Sequence, residues 1–132
     1  MADNHMGNAT RPLLVLVAGP YRSGTNDDPA RIAAHLEAMN AAALQVWQRG
    51  HVPITGEAVV LLLIERAGSQ QIGDPIFTAI MHPLSRILAE RCDAVLRIDG
   101  PSQGADEMVT IARQHGHPVF YEVADIPEYR HD

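Results

Sequence analysis

The chain has 132 residues, a single cysteine, no lysine and a formal net charge of −6. That length accommodates one domain with a real core and leaves no room for a second. An acidic balance without any basic run argues against binding to nucleic acid or to a membrane surface, and one cysteine excludes an internal disulfide.

Residues 1–11 are polar and read as a disordered leader, which leaves residues 12–132 as one domain. No charged start followed by an apolar core and cleavage site is present, and no apolar run approaches a membrane span, so the expected location is cytoplasmic. Leu13-Leu14-Val15-Leu16-Val17-Ala18 is a continuous apolar run suited to a strand buried on both faces. Behind it comes the first loop, Gly19-Pro20-Tyr21-Arg22-Ser23-Gly24. Its glycines let the backbone turn and approach a ligand, and Arg22 offers a planar donor fork for a phosphate or carboxylate. It is neither a Walker loop nor a dinucleotide fingerprint. The plainer alternative is an ordinary strand-to-helix connection with a surface arginine.

Asp27-Asp28-Pro29 supplies a cap and a proline at the first helical position. Ile32, Leu36, Met39, Ala43, Val46 and Trp47 then recur at helical steps until Gly50. His51-Val52-Pro53-Ile54 reads as a short second strand ending in a Thr-Gly turn. In the stretch from Glu57 to Ala67, residues Ala58 to Ile64 are apolar on all sides. As a helix this segment would be buried twice, against the sheet and against a second subunit, which predicts a homodimer or higher homo-oligomer; its β-branched content also permits a central strand. Gly68 to Asp74 is polar and suits a flexible lid or a plain surface loop.

Asp74-Pro75 caps a helix expected to run to about Arg91, kinked near Pro83. Cys92 reads as a small buried hydrophobe rather than a nucleophile. Ala94-Val95-Leu96-Arg97-Ile98 is the next strand, and the second loop, Gly100-Pro101-Ser102-Gln103-Gly104-Ala105-Asp106-Glu107, leads into a helix from Met108 to Gln114. Ser102 and Gly104 sit where unsatisfied helix N–H groups welcome an anion. Asp106 and Glu107 point about 100° apart, so only one can face a shared pocket. With Met108, Ile111, Ala112 and His115 as the apolar stripe, Glu107 is expected beside Gly104 and is the better candidate for chemistry. Acidic residues are favoured in any first helical turn, which is the plainer explanation of both.

His117 to Tyr121 is the last strand, and the remainder reads as a tail packing across a neighbour. The 7 histidines show no recognised ligand spacing, so no metal and no cofactor are expected. Strands separated by helices imply right-handed crossovers. The fold class is therefore α/β, a doubly wound Rossmann- or flavodoxin-like, mostly parallel sheet of about four or five strands flanked by helices. Both loops then lie at the carboxyl ends of strands, where such sheets bind ligands.

Taken together, GPYRSG from Gly19 to Gly24, RCDAVLRIDGPSQGADEMV from Arg91 to Val109 and GHPVFYEVADIP from Gly116 to Pro127 resemble the nucleoside 2-deoxyribosyltransferase-like superfamily. The resemblance is nearest to its small DUF4406-type members and to the 2'-deoxynucleoside 5'-phosphate N-hydrolases. It implies a usually dimeric domain that cleaves or exchanges the N-glycosidic bond of a nucleoside or nucleotide through a carboxylate on the helix after the second loop. Gly19, Tyr21, Arg22, Ser23 and Gly24 of the first loop, with Ser102 and Gly104 of the second, would hold substrate and its 5'-phosphate. Glu107 would be the nucleophile, with Tyr21 and Asp106 orienting the sugar. Three positions depart from the family pattern, one of them Leu16, where the hydrolases' strand tyrosine aligns, so that Tyr21 would have to supply any phenol. The family nucleophile aligns with Met108, one residue beyond Glu107, and a second family aspartate aligns near Ser85. The competing expectations are thus an N-glycosidase, a nucleotide-binding sensor or carrier that kept the pocket without the chemistry, and an interaction protein using Ala58 to Ile64.

Overall fold

Alternation along the first strand fixes the layering of the molecule. In the computed structural model, which describes residues 9–131, β1 (Leu14–Ala18) points Val15 and Val17 to one face and Leu16 and Ala18 to the other. Val15 and Val17 pack with Met39 and Val46 of α1 (Pro29–Gln48), while Leu16 and Ala18 pack with α3 (Pro75–Arg91) and α4 (Gln103–Gln114). Both faces are covered, so the strand is apolar at every position.

With β2 (Val52–Thr55), β3 (Ala94–Arg97) and β4 (Val119–Phe120), β1 forms an all-parallel sheet in the order β2-β1-β3-β4. This is the doubly wound α/β arrangement. The chain leaves β1 toward α1 on one face and leaves β3 toward α4 on the other, which opens a crevice at the carboxyl ends of the two central strands. Among the described residues no helix is long and apolar enough to cross a membrane.

Several local expectations are corrected. The segment from Ala58 to Ile64 forms the expected helix, α2 (Gly56–Arg66), and not the strand its β-branched content also permits. Its buried residues Val60 and Ile64 meet Phe77 and Met81 of α3 rather than the sheet, and Leu62 and Leu63 remain exposed. α4 begins at Gln103, not at Met108, because the Ser102 hydroxyl accepts the Ala105 N–H at 3.1 Å and caps the helix there. Asp28 occupies the cap position of α1, but its side chain makes no cap hydrogen bond. Residues 1–8 of the expected leader lie outside the described residues. Arg11, at its other end, makes a two-pronged ion pair with Asp93 at 3.0 and 3.1 Å.

The carboxyl-terminal segment packs on its own chain. Ile126 is fully buried in the core beneath α1. Arg49 donates from Nε and Nη2 to the Ile126 carbonyl at 2.8 and 2.6 Å. His51 is fully buried between β1 and this segment: its Nδ1 accepts the Leu13 N–H at 3.0 Å, which leaves Nε2 to carry the proton donated to the Pro127 carbonyl. A histidine that looks like a strand opener is a buried bracket.

The loop between α2 and α3 is tied down by one residue. The Asp74 carboxylate caps α3 through the Phe77 N–H at 2.8 Å and also accepts from the Ser69 hydroxyl at 2.8 Å and the Gln70 N–H at 2.9 Å. The backbone N–H groups of Phe77 and Gln70, which donate to it, hold its pKa down, from 3.8 to about 2. A depressed carboxylate stabilises the fold above the unfolded value, and its contribution is lost as pH falls through the folded one. Asp74→Ala is therefore expected to melt below the parent near neutral pH, with the gap narrowing as pH drops from about 4 through about 2. Thermal melts of both proteins across that range check it; a gap independent of pH would contradict the role.

Candidate binding site at the switch point

The crevice holds a cavity of about 310 Å3, within the range of small-molecule sites. Three walls build it. The first loop contributes Gly19, Tyr21, Arg22 and Ser23; the start of α4 contributes Ser102, Gly104 and Met108; α2 and α3 close the far side with Glu57, Phe77 and Ser85, among others.

The two loops are pressed together because both carry glycine at their contact points. A Cβ on Gly19 would stand 2.8 Å from Cβ of Ile98, and one on Gly100, whose φ is +112°, would stand 3.0 Å from Pro20. Arg97, the last residue of β3, is buried beneath the second loop. Its guanidinium donates to the carbonyls of Ile98 and Gly100, the latter at 2.9 Å, and to the Asp106 carboxylate at 2.9 and 3.2 Å. These bonds fix the turn that presents the α4 N-terminus to the cavity.

At that N-terminus the Ala105 N–H is capped by Ser102, and the Asp106 N–H bonds the Ser102 carbonyl at 3.0 Å. Among the described hydrogen bonds, the N–H groups of Gln103 and Gly104 take no acceptor. Apart from its chain neighbours and the backbone of its own helix, nothing lies within 4 Å of where a Gly104 Cβ would be. Two free donors therefore stand in residues that line the cavity, at the positive end of a helix dipole.

Arg22 is held in place by Asp27, with Nε to Oδ1 at 2.9 Å and Nη2 to Oδ2 at 3.0 Å. This pairing raises the arginine pKa and lowers that of Asp27. It depends on an unusual turn in which Asn26 and Asp27 have φ of +52° and +57°, stabilised by the Thr25 hydroxyl, which accepts the Asp27 N–H at 3.1 Å. The guanidinium carbon lies 5.7 Å from the Phe77 ring centroid, and a Cβ on Gly73 would come within 2.7 Å of Nη2. With Nε and one Nη2 proton on Asp27, Nη1 is left to meet a ligand. The Tyr21 ring stacks on Phe77 at 6.5 Å and 9°.

The expected residues divide cleanly. Gly19, Tyr21, Arg22, Ser23, Ser102 and Gly104 all line the cavity, whereas Gly24, Asp106 and Glu107 do not. Asp106 is 71% exposed and bound to Arg97. Glu107 faces α3 instead, 3.8 Å from Arg86 in an exposed pair. The reason is helical phase: with α4 starting at Gln103, Met108 is four residues beyond Gly104 and lies above it, while Glu107 is turned about 100° away. Met108 and Ser85, the positions where the resembled family places its carboxylates, both line the cavity.

Glu57 was not among the expected site residues. It stands at the second position of α2, where the Thr55 hydroxyl caps the helix by accepting the Ala58 N–H at 3.0 Å. Thr55 ends β2 and caps α2 much as Ser102, in the loop after β3, caps α4, a small hydroxyl cap where strand gives way to helix, and that signal could have found it. Burial pushes the Glu57 pKa up, opposed in part by its own backbone N–H. Tyr21 is raised by burial first and by the Glu57 charge second, so the two groups share one environment. No group of three or more His, Cys, Asp or Glu side chains among the described residues is placed to hold a metal ion. No protein-family model matches the chain, and no curated protein matches it.

Proposed function

We propose that the chain binds a nucleoside 5'-monophosphate in this cavity and acts as a nucleotide-binding module. The observation that carries the reading is the open α4 N-terminus, where Gln103 and Gly104, whose N–H groups are free, line the same cavity as Ser23 and Arg22. Such a cluster of donors suits a phosphate. The apolar wall of Phe77, Met81 and Met108 suits a flat ring, and the resemblance in the two loops points to a nucleotide rather than another phosphate ester.

Binding is favoured over turnover by what stands beside Gly104. Glycosidic cleavage of the usual kind employs a pair of carboxylates. Met108 and Ser85 occupy two of the cavity positions, and among the described residues Glu57 is the only carboxyl in the lining. N-glycosidic cleavage is the second reading, and the presence of Glu57 at a helix N-terminus within the cavity is what favours it.

Titration calorimetry with matched nucleosides and nucleoside monophosphates tests the first reading, and chromatography of the same mixtures for free base tests the second. Monophosphates are expected to bind more tightly than nucleosides, with no base released. Gly104→Asp supplies the control: nothing obstructs the new side chain, and a first-turn carboxylate suits the helix. The fold should therefore survive while the added charge repels the phosphate and weakens monophosphate binding by about tenfold or more. Equal affinity in Gly104→Asp and parent would remove the phosphate site from α4.

A further inference from the structure

The phosphate-binding reading leaves the one carboxyl of the cavity without a task. Glu57 is half-buried, and among the described residues its carboxyl has no ion-pair partner and no hydrogen bond from any residue but its own backbone N–H. The titratable and charged groups that share its surroundings are Tyr21 and Arg22 from the first loop and His82 from α3, and Arg22 is already engaged by Asp27. A carboxyl removed from water with only its own backbone N–H for a partner is costly in its charged form, and burial raises its pKa accordingly. A ligand that fills the cavity completes the desolvation. It must therefore bring hydrogen-bonding groups to this position.

The position itself limits what those groups belong to. Glu57 follows β2 and Gly104 follows β3, and β1 lies between these strands. Two strand spacings separate their carboxyl ends by about 10 Å. A nucleoside monophosphate with its phosphate at α4 reaches the other side with the edge of its base. An ionised carboxylate accepts hydrogen bonds from an amino group and an adjacent ring N–H, as guanine offers. A neutral carboxyl accepts from an amino group and donates to an adjacent ring nitrogen, as adenine and cytosine offer. The exocyclic amino group is common to both.

We infer that Glu57 is a specificity-determining residue that hydrogen-bonds the exocyclic amino group of the ligand's base, so that the site takes amino-bearing nucleobases in preference to their deaminated counterparts. This rests on the nucleotide reading and adds to it the class of base. A carboxyl facing a carbonyl in place of the amino group would be left unsatisfied or repelled, the circumstance in which polar recognition discriminates most strongly.

Calorimetric titration of the full chain with the pairs guanosine and xanthosine monophosphate, adenosine and inosine monophosphate, and cytidine and uridine monophosphate reads the preference directly. In the parent, at least one amino-bearing member should bind about tenfold more tightly than its partner, the range of one charge-assisted hydrogen bond. Glu57→Leu, which suits half-buried apolar surroundings, and Glu57→Ala as a second variant should bring that ratio close to one. Gly104→Asp should weaken both members of a pair alike and leave the ratio standing. A ratio near one in the parent, or the same ratio in parent and both Glu57 variants, overturns the inference while the nucleotide reading survives. Failure of every monophosphate to bind the parent overturns the nucleotide reading and this inference with it.

Discussion

Gly50→Ala is expected to destabilise the protein by about 3 kcal/mol, the sum of a left-handed backbone cost and an overpacking cost. Gly50 has a φ of +97°, and a Cβ there would stand 1.9 Å from the carbonyl oxygen of Tyr129. The obstacle is backbone, so no rotamer change relieves it. The carboxyl-terminal segment would have to lift away, and the Tyr129 N–H bond to the Arg49 carbonyl at 2.9 Å would go with it. Further displacement would strain the bonds from Arg49 and His51 that hold Ile126 and Pro127. Gly116→Ala isolates the backbone part of this cost. Gly116 has a φ of +74° but nothing within 4 Å of its would-be Cβ, so it should cost only about 1 kcal/mol. Urea unfolding of the two variants measures both numbers. If they cost the same, the contact with Tyr129 carries no weight and the segment is looser than its hydrogen bonds imply.

The difference between those two glycines also shows where sequence reading reaches its limit. Both mark the ends of helices, and both stops are legible because a glycine following a run of helical apolar spacing is a local signal. That Gly50 also receives Tyr129 is not local, since the two are brought together only when the chain closes. The same division runs through the fold. Doubly covered strands announce themselves by continuous apolar runs, so β1 and β3 are evident from Leu14 to Ala18 and from Ala94 to Arg97. The bracket made by His51 joins β1 to residues far along the chain and leaves no periodic trace.

The site divides in a similar way. Glycines and small hydroxyls in the loops after β1 and β3 indicate two of the cavity's three walls, because strand ends in a parallel sheet are where backbone donors become free. The orientation of Glu107 depended on where α4 begins, and one early cap at Ser102 turns it away from the cavity toward Arg86. Helical phase amplifies a small boundary error into a wrong face, because each residue turns the side chain by about 100°. Glu57 was hidden for a different reason. Its neighbours Ala58 to Ile64 are so apolar that they drew attention to burial of the whole segment, while the Thr55 cap that places its first turn at the cavity is a single hydroxyl. The ion pair between Arg22 and Asp27 needed two successive left-handed residues, a conformation that asparagine and aspartate tolerate but do not announce.

Arg97→Met should show how far ligand binding depends on a residue outside the cavity. The arginine does not line it, but its guanidinium holds the carbonyls of Ile98 and Gly100 and the Asp106 side chain from beneath the second loop. Methionine keeps much of the apolar stem and removes every donor, leaving carbonyls that pointed inward without partners. Unsatisfied acceptors cost about 1–3 kcal/mol each when they stay buried, and relief by water entry would loosen the turn. The expected result is a loss of about 2–3 kcal/mol in stability together with at least about tenfold weaker monophosphate binding, because the N–H groups of Gln103 and Gly104 are no longer aimed. Asp106→Asn separates the ion pair from the carbonyl contacts. Asp106 is mostly exposed, so losing its charge should cost below about 1 kcal/mol and leave binding nearly intact. Should Asp106→Asn prove as damaging as Arg97→Met, the ion pair and not the backbone carbonyls would organise the loop. Should Arg97→Met bind monophosphate as the parent does, the α4 N-terminus would be preorganised by its own cap, and the Ser102 hydroxyl alone would suffice to present the anion site.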